Sequence, residues 1–258
     1  MANIHSKTLQ DLEFPTVLQQ VAARCNTELG KEAALKIQPL PNKAAISKEL
    51  GKTSEYLGSF ISENNIPNHG FDSISNDLKL LKIENTTLEL LGFRRIAGLC
   101  NTVVAHQKFF KKFKEYYPLL HNTASELETN TEIPLLINAV IDRFGEIKDN
   151  ASDELLSIRR QINHVRGKIS QSFGNALATY QSSDYLDDIR ESVVENRRVL
   201  AVKAMYRKKI KGAVMGTSKT GSIVYIEPEA VLKYSRELNN LEFEEKEEIQ
   251  RILNQLTD

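Results

Sequence analysis

Asp187–Pro228 reads DDIRESVVENRRVLAVKAMYRKKIKGAVMGTSKTGSIVYIEP, and here alone the apolar residues alternate instead of recurring at helical spacing. Val, Ile and Tyr fall with period two between turn residues, the pattern of short, half-buried strands. The spacing predicts Ser192–Glu195 and Arg198–Lys203 as strands around an Asn196-Arg197 turn. Ile210–Gly216 and Ser222–Ile226 follow as two further strands, separated by a turn at Ser218–Gly221. Arg is a poor residue for the positive φ that such a turn requires. The stretch is also the most basic part of the chain. The window Arg190–Thr220 holds nine Lys/Arg against Glu191 and Glu195, while the whole protein balances 34 Lys+Arg with 34 Asp+Glu. Any attraction for a polyanion is therefore local.

Both flanks are helical. Upstream, Ser152 stands as an N-cap, with Asp153 and Glu154 in the first turn where carboxylates favour the helix dipole. Leu155, Ile158, Ile162, Val165, Ile169, Phe173, Ala176 and Tyr180 then step by three and four, a heptad seam of coiled-coil type. A helix from Ser152 to near Tyr185 reaches roughly 50 Å and calls for one long partner. Downstream, Pro228 suits a first helical position. Val231, Tyr234, Leu238, Leu241, Ile249, Ile252 and Leu256 continue the pattern to the end of the chain, eight acidic residues opposing four basic ones. No Gly or Pro stops this helix, so it is expected to be cut short at Asp258.

Residues 1–150 read as a helical core. Helices are expected at Thr8–Arg24, Thr27–Ile37 (capped by Thr27, stopped at Pro39-Leu40-Pro41), Lys43–Ser62 (capped by Asn42), Ile74–Ile83, Thr87–Tyr116 and Thr131–Phe144. Phe109, Phe110, Phe113, Tyr116 and Tyr117 interleave with Lys108, Lys111, Lys112 and Lys114. That is either a stacking surface for bases or a core face coated by lysines. Gly145–Asn150 marks a boundary. The expected fold is mainly α with a small antiparallel β insertion: a helical core domain (1–150), long antiparallel helices (151–186 and 229–258), and a four-stranded sheet (187–228) capping them.

Catalytic chemistry finds little footing. Gly216–Thr220 imitates a phosphate-binding loop, but Ser218 occupies the place of the second Gly, and strands flank it on both sides. His5, His69, His106, His121 and His164 are scattered, and Cys25 and Cys100 form no CxxC pair, so neither a metal nor a catalytic residue is expected. The N-terminus has no signal-peptide pattern and no run approaches a membrane span, which leaves the cytoplasm as the default. The candidate binding residues are Arg197, Arg198, Lys203, Arg207, Lys208, Lys209, Lys211 and Lys219. They either neutralise nucleic-acid phosphates or guard strand edges against aggregation.

Several segments resemble one family colinearly. They are Lys7–Leu9 to Leu12–Phe14, Thr27–Lys31, Gly145–Ser152, Leu155, Ile158–Arg160, Val199–Ala204, Tyr206-Arg207, Ile210–Gly212, Ser218, Gly221, Ile226–Pro228 and Leu238–Asn240. The chain resembles the N-terminal part of MutS-like proteins of the type-two branch, which carry a C-terminal Smr domain. The resemblance implies that the long helices are levers and the sheet a clamp closing on a ligand. It also implies that an ATPase, using ATP and Mg, follows the second lever and supports a homodimer. For the family it implies branched or duplex DNA as partner, in repair and recombination control, and alternatively the rRNA of stalled or collided ribosomes. A third alternative is a structural module coupling the two halves of a dimer. This chain is expected to carry neither the ATPase nor the Smr nuclease, and so no cofactor. Where family clamps have Asn-Gly at the first hairpin, this sequence has Asn196-Arg197.

Overall fold

The computed structural model describes residues 4–40, 42–62 and 64–258, so the expected helix stop at Pro41 lies outside the described residues. The fold is mainly α with one small antiparallel sheet. Contacts divide the chain into two compact units, Met1–Lys148 with Leu253–Asp258, and Asp149–Ile252.

The first unit holds α1 (Ser6–Asp11), α2 (Phe14–Ala22), α3 (Glu28–Leu35), α4 (Lys43–Ser59), α5 (Ser75–Leu80), α6 (Leu90–Lys112), α7 (Pro118–Ser125) and α8 (Glu132–Val140). The helical stretch expected over Thr8–Arg24 divides at Glu13, whose φ is 52°, and the helix proper starts at Phe14, where Pro15 places it. Pro15 explains the break, because inside a helix its ring would strike the carbonyl four residues back. It is tolerated only in the first turn of a new helix. Thr27 and Asn42 cap α3 and α4 as expected, accepting the N–H groups of Gly30 (3.0 Å) and Ala45 (2.9 Å). Helix α6 stops at Lys112, short of the expected Tyr116, and Pro118 opens α7. The Glu55 carboxylate of α4 accepts the N–H groups of Leu119 and Leu120 there, both at 2.9 Å, tying two helices through an N-terminus that favours negative charge. Phe110 and Tyr117 are buried with Ala124, and Phe109 and Phe113 pack on them, so those aromatics form core; Tyr116 is exposed. Asp77, 3% exposed, takes a two-point contact from Arg95 at 2.8 and 2.6 Å. Those hydrogen bonds hold the Asp77 carboxyl below its usual range against the opposing effect of burial.

The second unit contains α9 (Asp153–Gln181), β1 (Leu186–Val194), β2 (Arg197–Lys203), a 3₁₀ segment (Ala204–Lys209), β3 (Gly212–Thr217), β4 (Ile223–Pro228) and most of α10 (Glu229–Thr257). Ser152 caps α9, accepting the Leu155 N–H at 3.0 Å. Helices α9 and α10 run antiparallel: Ser152 meets Glu248, Arg159 meets Glu245, and Arg166 meets Glu242. The α9 seam serves two partners in place of the single one expected. Ile158, Ile162 and Val165 pack on Leu241, Tyr234 and Leu238 of α10. Phe173, with Ile169, Leu177 and Tyr180, instead packs under Leu186, Leu200, Val202, Ile210, Val224 and Ile226 of the β-rich stretch.

The sheet order is β1-β2-β4-β3, every neighbour antiparallel. Three details differ from expectation. The first hairpin turns at Glu195-Asn196, not Asn196-Arg197, with φ of 49° and 60° and the pair Val194–Arg197 closing it. Asn tolerates that left-handed geometry, and the shift frees Arg197 to act as a strand residue. Strand β1 starts at Leu186, well before Ser192, because the register slips between Leu186 and Glu191 and hides the alternation. Helix α10 begins at Glu229, Pro228 being the last residue of β4.

Candidate nucleic-acid interface

The connection from β2 to β3 positions most of the cations. These strands lie on either side of β4, so the chain must cross over, and the 3₁₀ segment makes the crossing. Ile210 is buried in the core beneath the sheet, and Tyr206 packs against it with its ring 4.9 Å from that of Tyr185. These two apolar anchors hold the crossing while Arg207, Lys208, Lys209 and Lys211 project outward, all exposed. Lys219 is exposed at the β3–β4 turn. Among the described residues none of these five makes a salt bridge or a side-chain hydrogen bond.

The other three sequence-selected cations have internal partners. Arg197 donates to Glu227 at 2.9 Å, and Glu227, 1% exposed, also accepts from the Ser235 hydroxyl of α10. Arg198 donates to Glu191 at 2.6 Å and lies 4.3 Å over the Phe173 ring, a cation–π contact. Lys203 donates to Asp184 at 2.9 Å, a hydrogen bond that raises its pKa despite opposing desolvation. The eight residues thus form two groups: five unpaired on the crossing and the β3–β4 turn, and three that tie the sheet to its surroundings.

Sequence reading missed Arg166. It joins Ser170, Arg197, Arg198, Asn239 and Glu242 in the lining of a cleft of about 540 Å³. Each guanidinium there has its own carboxylate (Glu242, Glu227 or Glu191), so an entering anion must compete with an existing ion pair. The helical spacing of Arg166 on α9 carried no sign that the β1–β2 turn would come to lie beside it.

The phosphate-loop lookalike resolves into a hairpin turn. Ser218 N–H donates to the Ile223 carbonyl (2.9 Å), the Ser218 hydroxyl accepts the Ile223 N–H (3.1 Å), and Gly221 adopts φ 71°. Its polar groups are occupied by the turn itself. Burial pushes the Cys100 thiol pKa up, away from the thiolate that a reactive cysteine needs. Among the described residues no group of three or more His, Cys, Asp or Glu is placed to hold a metal ion, and no helix is long and apolar enough to cross a membrane.

No family model matches the chain. It is 30% identical over 258 residues to "Endonuclease MutS2" of Bacillus velezensis, an alignment covering 99% of this chain and 33% of that protein. To "Putative endonuclease MutS2" of Bacillus subtilis the identity is 31% over 258 residues, with the same coverage. To "Endonuclease MutS2" of Aquifex aeolicus it is 28% over 255 residues, again 99% of this chain and 33% of the relative. The chain is thus similar to these proteins over nearly all of its own length, and spans about a third of theirs.

Proposed function

We propose that this chain is the nucleic-acid-contacting part of a MutS2-like endonuclease, with α9 and α10 as levers and the four-stranded sheet as a clamp on the DNA backbone. The observation that carries the reading is the row Arg207, Lys208, Lys209 and Lys211, exposed and unpaired on a crossing fixed from beneath by Tyr206 and Ile210. Cations without internal carboxylates remain available to displace counterions from phosphates, and such binding is independent of base sequence. The relatives' printed name, an endonuclease, supports nucleic acid as the class of ligand. A role in DNA repair or recombination follows from the same likeness.

The test is binding of the 258-residue chain to labelled duplex and branched DNA across a salt titration. Engagement of all five unpaired cations gives a slope of log K against log salt of about −4.5, and changing Arg207, Lys208 and Lys209 to Glu leaves a slope no steeper than about −2. An unchanged slope in the triple variant refutes the reading. Ribosomal RNA as competitor separates the two polyanions: tighter competition by rRNA than by duplex DNA assigns the crossing to the ribosome instead.

A further inference from the structure

We infer that the free edge of β3 is a docking strand for an extended, acid-flanked segment of a partner protein. The inference shares Lys211 with the nucleic-acid reading but is carried by the backbone edge of β3, which that reading does not use. Strand β3 ends the sheet and pairs only with β4. Two hydrogen bonds set its alternation: Lys211 O accepts from Glu229 N (3.0 Å), and Ser218 N donates to Ile223 O (2.9 Å). In an antiparallel pair, residues between hydrogen-bonded positions turn their backbone groups away from the neighbour. Gly212, Val214 and Thr217 accordingly aim N–H and C=O outward. Pro228, opposite Gly212, has no N–H to offer it, which agrees with this phase.

The two edges of the sheet differ. Strand β1 is broken by an irregularity of register and carries Asp187, Asp188, Arg190 and Glu191, devices that deter pairing. Strand β3 reads GAVMGT, with no charge and no Pro. Its register slip between Val214 and Gly216 twists the far half away, leaving Gly212–Val214 as the straight half. At the Lys211 end of that half lies a cleft of about 350 Å³, lined on the α9 side by Ser172, Asn175 and Thr179 and on the other by Lys211 and Glu229. Strand edge and helix there flank a groove, the arrangement used when a peptide adds itself to a sheet.

Charge selects the occupant. Lys211 and Lys219 bracket β3, and Arg207–Lys209 lie on the crossing just before it. Glu229, across from Lys211, is the acid in the groove's lining, so the surroundings of the strand are positive on balance. A second copy pairing antiparallel on β3 would bring the Lys211 of one chain towards the Lys219 of the other, a like-charge encounter. A strand with an apolar centre and carboxylates on both sides meets complementary charge instead.

The probe is a synthetic peptide of alternating Val and Thr with paired Asp at each end, set against the same peptide with Lys in place of Asp. The readouts are fluorescence anisotropy and amide hydrogen exchange of the 258-residue chain. The acidic peptide is expected to slow exchange at Gly212 and Val214. Val214→Pro, which the sheet tolerates because that N–H faces outward, should weaken binding about tenfold or more. Lys211→Glu weakens it as well, without touching the ladder. Equal binding of both peptides, protection elsewhere, no binding, or no effect of V214P overturns the inference, as does a dimer of the unliganded chain that V214P dissolves. V214P should leave the salt slope for DNA intact, whereas R207E/K208E/K209E flattens that slope and spares the peptide's exchange protection at Gly212. The two proposals therefore fail separately.

Discussion

Arg197→Ala tests whether this guanidinium is a strut or a phosphate ligand. Its Nη1 lies 2.9 Å from Glu227, a carboxylate only 1% exposed. Removing it leaves a buried negative charge with the Ser235 hydroxyl as its remaining side-chain partner. Losing one member of a fully buried pair costs about 3–5 kcal/mol. The Arg197 side chain, however, is 33% exposed, so water can enter on its side and screen the charge. A loss of about 2–3 kcal/mol is the discounted expectation. Neutralising the orphan in R197A/E227Q should recover most of it, leaving a deficit of about 1 kcal/mol, because the amide no longer demands a counter-charge. Urea denaturation, with hydrogen exchange at β2 and β4 amides to isolate Asp149–Ile252, measures both variants. A cost for R197A below about 0.5 kcal/mol, or no recovery in the double variant, refutes the reasoning. So does a DNA salt slope that falls by about one unit in R197A, the signature of a lost phosphate contact.

Gly212→Ala should cost about 2–4 kcal/mol by the same denaturation assay, since a Cβ there would sit 2.1 Å from the Glu227 backbone carbonyl, which no side-chain rotation can relieve. The turn pair Glu195-Asn196 should gain about 0.5–1 kcal/mol on replacement by Asn-Gly, because both residues hold positive φ and the change moves no other group. Asp77 has a folded pKa below its unfolded value, so its pairing with Arg95 stabilises the fold fully above about pH 4 and is lost as pH falls through the depressed folded value. In an acid titration of stability, Asp77→Asn should flatten the slope below about pH 4; an unchanged slope removes Asp77 from the acid transition.

What could be read from the sequence was whatever depends on neighbours along the chain. Thr27, Asn42 and Ser152 cap helices through groups three residues away. The period of two holds in β4, where Val224 and Ile226 are buried and Ile223 and Tyr225 are half-exposed, whereas β2 buries Val199–Val202 without a break. The failures share a different cause. Glu195-Asn196 replaces Asn196-Arg197 because the turn yields to a contact between Arg197 and Glu227, thirty positions downstream. The early start of β1 is masked by its irregular register, and the crossing segment shows no periodicity, its order resting on Tyr185 and the sheet core. The α9 seam looked like a binding face for one helix because Ile, Val and Phe at heptad spacing do not announce whether helix or sheet will cover them. For the eight cations, composition marked the region, but only tertiary pairing separates Arg197, Arg198 and Lys203 from the other five.

That separation follows how the carboxylates are distributed. Glu191, Glu227 and Asp184 all lie outside the acid-free run 196–226, and each reaches in to neutralise a cation of β2. No carboxylate among the described residues reaches Arg207, Lys208, Lys209, Lys211 or Lys219 in the same way. Folding therefore pairs the charges on the strand central to the sheet and leaves the crossing and the β3–β4 turn positive, although the chain as a whole is neutral. Glu227 adds a mechanical consequence. It lies two residues before α10 and is bonded both to Arg197 of β2 and to Ser235 of α10, with Pro228 as the only residue between it and the helix. A rotation of the first turns of α10 must then carry Glu227 with it or break the buried Ser235–Glu227 hydrogen bond. Position along α10 is thereby coupled to the sheet that carries the unpaired cations.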